Sequence, residues 1–282
     1  MRRSYLAVFT AAAMLAGMST RAVDLKDIAE ASMLVSGTIE VLPDGSVGSY
    51  ALYKEEKLPA PVIDLIKRNV STWKFQLKTP STTPIKEDMS LRIIAKDEDA
   101  QHMTLRLAGA NFSDGDSPES SSIRWQHRVS PLYPKFSLDH GMSGTVYILV
   151  RIGRDGKVIN TGLEQVNLRR YVPDQKEMAR FRKDLADAAI KVSRRWTFET
   201  PTSGEEMQAP FWDAQIPVDF NAERGNRSGE SYGSWAIYLR GPQEQIGWRQ
   251  DASLVSEAPD AVPDGSIHPV GAGARLLTPL AN

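Results

Sequence analysis

The sequence predicts an α+β protein: two tandem units, each a small antiparallel sheet with one packed amphipathic helix, then an irregular C-terminal tail. Three observations predict it. Apolar residues alternate at strand period in several short stretches, and two further stretches carry them at the three-and-four spacing of a helix face. The same landmarks also occur twice in the same order. With 282 residues, 41 % of them hydrophobic and 24 % charged, the chain is long enough for about two domains with real cores.

Residues 1–22, MRRSYLAVFTAAAMLAGMSTRA, read as an address. Arg2 and Arg3 lead, Tyr5 to Gly17 is a short apolar run, and Thr20 and Ala22 are the small residues expected before a cleavage site. The run is shorter than the roughly 20 residues that cross a bilayer. The expectation is a cleaved signal peptide, a mature start near Val23 and a periplasmic location. The alternative is an uncleaved, signal-anchored protein of the inner membrane, the one case in which a membrane becomes a partner.

The first unit is expected over residues 23–112. Ser36-Gly37-Thr38 opens an alternating stretch ending at Asp44-Gly45-Ser46-Val47. Val62, Leu65, Ile66, Val70 and Trp73 make a helical stripe that starts after Pro59 and Pro61. A Pro-containing loop then leads to Met89, Leu91 and Ile93, and Met103 to Leu107 adds a further strand. Ser113 to Ser122, rich in Ser, Asp, Gly and Pro, reads as a linker, placed at 113–124.

The second unit, residues 125–221, follows the same order. Ser143-Gly144-Thr145 leads into Val146, Ile148, Val150 and Ile152, alternating with Tyr147, Leu149 and Arg151. Asp155-Gly156 suits a two-residue hairpin turn with positive φ at both positions, and Val158 to Val166 returns. Asp174 is expected to cap a helix, with Glu177 three residues on. Met178, Phe181, Leu185, Ala188, Val192 and Trp196 then share one face. Ile216-Pro217-Val218-Asp219-Phe220 closes the unit. Trp73, Trp196, Phe181 and Gly156 are the expected structural residues; large aromatics ending an apolar stripe belong to a core. The tail, 222–282, is Gly- and Pro-rich, with Trp235, Ile237 and Leu239 alternating as an isolated strand would and Arg275 to Leu280 as a further candidate.

The chemistry-bearing residues point away from catalysis. There is no cysteine, so disulfides, thiol catalysis and zinc–thiolate sites drop out. His102, His127, His140 and His268 contain no pair at a metal-binding helical spacing. No Ser sits in a nucleophile elbow, and Gly271-Ala272-Gly273 lacks the spacing and Lys of a phosphate loop. Asp44-Gly45 and Asp155-Gly156 lack the further acidic ligands of a calcium loop. Without residues 1–22 the chain holds 31 basic against 35 acidic residues, too acidic a balance for a nucleic-acid partner. No enzyme activity, cofactor or metal is expected.

Tyr133-Pro134, Gly144 at the head of a strand, Asp155-Gly156-Lys157-Val158, the amphipathic helix, Trp196-Thr197-Phe198 before Pro201, and Val218-Asp219-Phe220 together resemble the C-terminal domain of the TonB energy-transducer family. The match covers about a third of the chain, and residues 23–112 resemble a reduced version of the same domain. The resemblance implies a sheet with a helix on one face whose exposed edge accepts an extended segment of an outer-membrane receptor. The chain departs from the family in having no Pro-rich spacer and no histidine in its N-terminal segment, the parts that serve coupling to a proton-driven motor.

The expected function is a periplasmic protein-interaction module that binds an extended segment of an envelope or outer-membrane protein by strand addition. The candidate binding residues are Tyr133, Pro134, Ile216, Val218 and Phe220. Pro217 lacks an N–H, which marks an edge strand or guards one. Tyr133-Pro134 has two readings, a binding role and a simple extended lead into the sheet. The other functional class is a structural or assembly protein whose sheet edges satisfy each other. Intact-mass measurement of the exported protein checks the address: the expected product starts near Val23, and a retained Met1 in the membrane fraction identifies the anchored form.

Overall fold

The computed structural model describes residues 30–97, 103–115, 118–222, 232–249, 258–271 and 273–280. The expected address at residues 1–22, the start near Val23 and His102 lie outside them. Among the described residues, thirteen strands in antiparallel sheets and three α-helices make a mixed α+β fold. None of these helices is long and apolar enough to cross a membrane.

The first sheet is built from β1 (Glu30–Val41), β2 (Val47–Leu52), β4 (Ile85–Asp97) and β5 (Met103–Asp114). β1 pairs with β2 on one side and β4 on the other, and β5 pairs with the far side of β4. Between β2 and β4 run helix α1 (Ala60–Val70) and the two-residue β3 (Phe75–Gln76). Pro61 sits in the first turn of α1, where a missing N–H leaves no bond unmade. Met33, Val35, Ile39 and Val41 of β1 and Met89, Leu91 and Ile93 of β4 share a core with Val62, Leu65, Ile66 and Val70 of α1.

The second sheet contains β7 (Gly144–Gly153), β8 (Val158–Leu168) and β10 (Phe211–Phe220), with β7 between the other two. Before it come β6 (Arg124–His127) and the short α2 (Lys135–Asp139); helix α3 (Gln175–Ser193) and β9 (Thr197–Glu199) lie between β8 and β10. β6 pairs with β9. The Asp174 side chain caps α3 by accepting the Lys176 N–H. The buried stripe of α3 runs Met178, Phe181, Leu185, Ala189 and Val192. Ala188, expected on that stripe, is half-buried, because a 3.6-residue period carried on from Met178 falls nearer to 189 than to 188.

Each hairpin is locked onto the strand that follows its helix. In one, the Gly45 N–H donates to Leu42 O (2.8 Å) and the Phe75 N–H donates to Gly45 O (2.8 Å). In the other, the Gly156 N–H donates to Gly153 O (2.9 Å) and the Phe198 N–H donates to Gly156 O (2.8 Å). Asp44 and Asp155 accept the N–H groups of Ser46 (2.9 Å) and Lys157 (3.1 Å). Only the glycines have positive φ, 78° and 74°. The expected turn with positive φ at both central residues is thus corrected. Asp155 stays at negative φ because its carboxylate already closes the turn, and Gly156 alone takes the left-handed position. A Cβ on Gly45 or Gly156 would lie 2.1 Å from the carbonyl oxygen of Phe75 or Phe198.

Trp73 and Trp196, 2 % and 1 % exposed, lie just before these phenylalanines. Trp196 Nε1 donates to Val129 O (2.8 Å), and its ring meets Trp125 edge-on at 5.2 Å. Trp73 packs edge-on against Phe75 (6.1 Å) and Phe112 (5.6 Å).

The tail contributes β11 (Ala236–Tyr238), β12 (His268–Pro269) and β13 (Arg275–Leu276), which pair with β1, β10 and β3 respectively. The segment around Trp235, Ile237 and Leu239 is therefore not an isolated strand. It covers the start of β1, and Leu239 then exchanges both backbone bonds with Leu168 of β8 (3.0 and 2.9 Å). The expected linker at 113–124 is shorter, since β5 continues through Asp114 and β6 begins at Arg124.

Trp196→Ala, which empties a fully enclosed site, is expected to destabilise the protein by about 3–5 kcal/mol. Gly156→Ala, which meets both the φ and the Phe198 carbonyl, is expected to cost more than about 1 kcal/mol. Urea unfolding midpoints check both, and an unchanged midpoint in either variant contradicts the packing described here.

Candidate functional site

The expected binding strand, β10, pairs along its whole length with β7, from Phe211↔Gly153 to Phe220↔Gly144. Ile216, Val218 and Phe220 are 1 %, 1 % and 2 % exposed, because their side chains enter the core under α3. Their side chains therefore serve the core and are not presented to solvent. The outward main-chain groups belong to the other parity. Val270 N–H donates to Asp213 O (2.8 Å) on the side of β10 away from β7, so alternation turns Gln215, Pro217 and Asp219 the same way. The candidate docking positions thus move by one residue from Ile216, Val218 and Phe220 to Gln215, Pro217 and Asp219. Pro217 fits this parity, since its absent N–H would have pointed out of the sheet and not into the β7 ladder.

Tyr133 and Pro134 lie beneath the far end of the same strand. The Tyr133 hydroxyl donates to Met142 O (2.5 Å), and its ring meets Phe220 edge-on at 5.5 Å. Pro134 is the N-cap residue of α2. Both positions help to place the entry of β7. Beside them Leu132 is 90 % exposed, an apolar side chain left in solvent.

The outer edge of β10 is covered only in part. β12 pairs Pro269 with Ala214 and His268 with Gln215. Beyond Gln215 a cavity of about 300 Å³ lies between this sheet and the first unit, lined by Tyr147, Arg169, Pro217 and Asp264 on one side and by Ser32, Leu34 and Tyr232 on the other. Of the tail segments, β11 lies on β1, and the later His268-Pro269 segment reaches β10. The pairing of Leu239 with Leu168 carries the nearer segment to the opposite edge of this sheet.

The face of the second sheet away from α3 is polar and buried. Arg151 holds Asp213 through two bonds (2.8 and 2.7 Å) and lies between the rings of Phe211 (3.7 Å) and Trp248 (4.6 Å). Arg169 pairs with Asp219. Gln215 Nε2 and Arg249 both donate to Glu164 Oε1 (3.1 and 3.0 Å). Burial raises the Glu164 pKa, against the lowering pull of Gln215 and Arg249. Burial also lowers His268 to about 4. Glu164 Oε2, Gln215 Oε1 and His268 Nε2 have no hydrogen-bond partner among the described residues. Sequence reasoning missed this layer, because its members lie on five separate segments.

Of the histidines, His127 is exposed on β6, and His140 lies 4.5 Å from the Phe136 ring. Among the described residues no group of three His, Asp or Glu side chains is placed to hold a metal ion. The arrangement can pair main chain with main chain.

The tail is also anchored on the first sheet. Glu87 of β4, 2 % exposed, accepts the Ala274 N–H (3.0 Å). Burial, with smaller contributions from Asp114 and Asp88, raises its pKa to about 7 against the lowering effect of Ala274. A raised carboxyl contributes stability that is present below the ordinary value near 4.5 and lost as pH rises through 7. His268 has the opposite sign: its contribution is present above about 6.5 and lost as pH falls towards 4. Glu87→Gln removes one of the two. Between pH 4.5 and 8 the wild type is expected to lose about 3 kcal/mol relative to the variant. Urea denaturation of both proteins across that range checks it, and parallel curves would contradict the assignment.

Comparison with protein-family models, curated proteins and solved structures gave no match for this chain.

Proposed function

We propose that this chain is an exported envelope protein that binds an extended segment of another envelope or outer-membrane protein by strand addition at the outer edge of β10. In this reading the chain holds two tandem copies of one TonB C-terminal-domain-like unit, and neither carries out catalysis. The two hairpin locks support the duplication, since Gly45 with Phe75 and Gly156 with Phe198 make the same bonds at the same lengths. The pairings β2–β1–β4 and β8–β7–β10 follow the same order.

One observation carries the binding reading. On the outer edge of β4 the chain supplies a full strand, the twelve-residue β5. On the corresponding edge of β10 it supplies, among the described residues, only the two-residue β12. An edge with main-chain groups left over is where an added strand gains hydrogen bonds at low cost in new structure.

A structural or assembly role is the second reading, favoured by the way the tail reaches the edges of β1, β8 and β10. A photo-crosslinking residue at Asp219, on the outward parity of β10, separates the two in exporting cells. The binding reading expects a crosslink to a defined extended segment of another envelope protein. That segment, added as a peptide, should slow amide exchange at Gln215 and Asp219. Crosslinks confined to the chain's own tail, with no protection gained, would leave the assembly role.

A further inference from the structure

The tail segment on β10 has the features of a bound ligand. It runs antiparallel to β10 in a single register, with Val270, Pro269 and His268 against Asp213, Ala214 and Gln215. Its side chains alternate. Ile267 packs against the core under α3, whereas His268 is buried, 7 % exposed, in the polar layer on the other face. The ladder then stops. Ser266 N–H turns back to Pro263 O (3.2 Å), and Gly265 takes a φ of 75°, so the chain leaves the edge before Pro217. Pro263 and Asp264 line the cavity that flanks Pro217. Asp264 also faces Asp219, whose charge helps to raise the Asp264 pKa after burial itself.

We infer that residues 264–270 are an intramolecular pseudo-ligand, occupying the strand-addition edge until a better-matched segment displaces them. This rests on the strand-addition reading of β10. The pseudo-ligand also defines the class of segment that displaces it. Such a segment is extended and antiparallel to β10, apolar where Ile267 sits and uncharged where His268 sits. At the Ile267 position a charge would be set against the apolar core under α3, at a cost of the kind that drives buried groups to neutralise. A segment that continues straight past Gln215 also reaches the Pro217 carbonyl and both main-chain groups of Asp219. It needs no acceptor opposite Pro217, and it avoids setting a carboxylate against Asp219. The pseudo-ligand forgoes those bonds, which is why a longer strand can replace it in spite of the high effective concentration of a tethered segment.

The test uses the full chain and a fluorescent peptide of residues 264–271 (DGSIHPVG), at pH 7.5. Ile267→Asp should loosen the tethered strand, and the variant should bind the peptide at least tenfold more tightly than wild type. In parallel, Ala214→Cys with Pro269→Cys joins a directly opposed, non-hydrogen-bonded pair in a chain without other cysteines. The oxidised form should bind no peptide, and reduction should restore binding. This pair decides the matter alone if Ile267→Asp does not fold. Equal binding by the oxidised and reduced forms overturns the pseudo-ligand while leaving strand addition possible at another edge. An Ile267→Asp chain whose β10 amides exchange faster yet take up no peptide overturns both.

Discussion

A helix covers only one face of each sheet, and the opposite faces carry Ser90, Arg92 and Asn111 in one and Tyr147, Gln165 and Gln215 in the other. Residues 258–262 lie between those faces and touch β4, β5, β8 and β10. The turn is held by its carbonyl groups. Asn111 Nδ2 donates to Ala258 O (3.1 Å), Arg92 Nε to Asp260 O (2.6 Å) and the Ser90 hydroxyl to Ala261 O (2.6 Å). Gly109 makes room for it, since a Cβ there would lie 2.4 Å from that of Ala258. Buried donors need acceptors, and here a short piece of tail backbone supplies them. The relative placement of the two sheets, and with it the cavity beside Pro217, depends on this contact.

The two faces of the second sheet differ in how well they are satisfied. Under α3 every position from Val146 to Ile152 and from Trp212 to Phe220 that points inward is apolar and packed. On the tail side, Glu164, Gln165 and Gln215 each keep a buried oxygen without a partner among the described residues. An unmade bond of this kind costs about 1–3 kcal/mol. The helix side is therefore the better satisfied half of the unit. The same asymmetry separates the edges: β4 is completed by β5, whereas β10 receives a short strand from a distant part of the chain. Two anchors in the first unit, Glu87 at Ala274 and β13 on β3, hold the tail just after that segment.

Local pattern determined much of this protein. The alternation of Val146 to Ile152, the stripe of α3 and the Asp-Gly turns are short-range signals, in which side-chain period and backbone tolerance suffice. The repeated order of turn, helix, tryptophan and strand could be read without coordinates, and Pro217 marked the outer side of β10 because an imino acid cannot donate into a ladder. Tertiary structure alone decided the rest. Which tail segment meets which edge depends on long-range backbone pairing, which carries no periodic signature, so Ile237 and His268 could not be assigned to β1 and β10 from their neighbours. The parity of β10 likewise required its partner on the outer side, since Val218 and Asp219 look equally available until Val270 shows which carbonyl faces outward. The buried polar layer was invisible for the same physical reason: Glu164, Gln215, Arg249 and His268 are ordinary surface residues until a tail with no core of its own is laid across them.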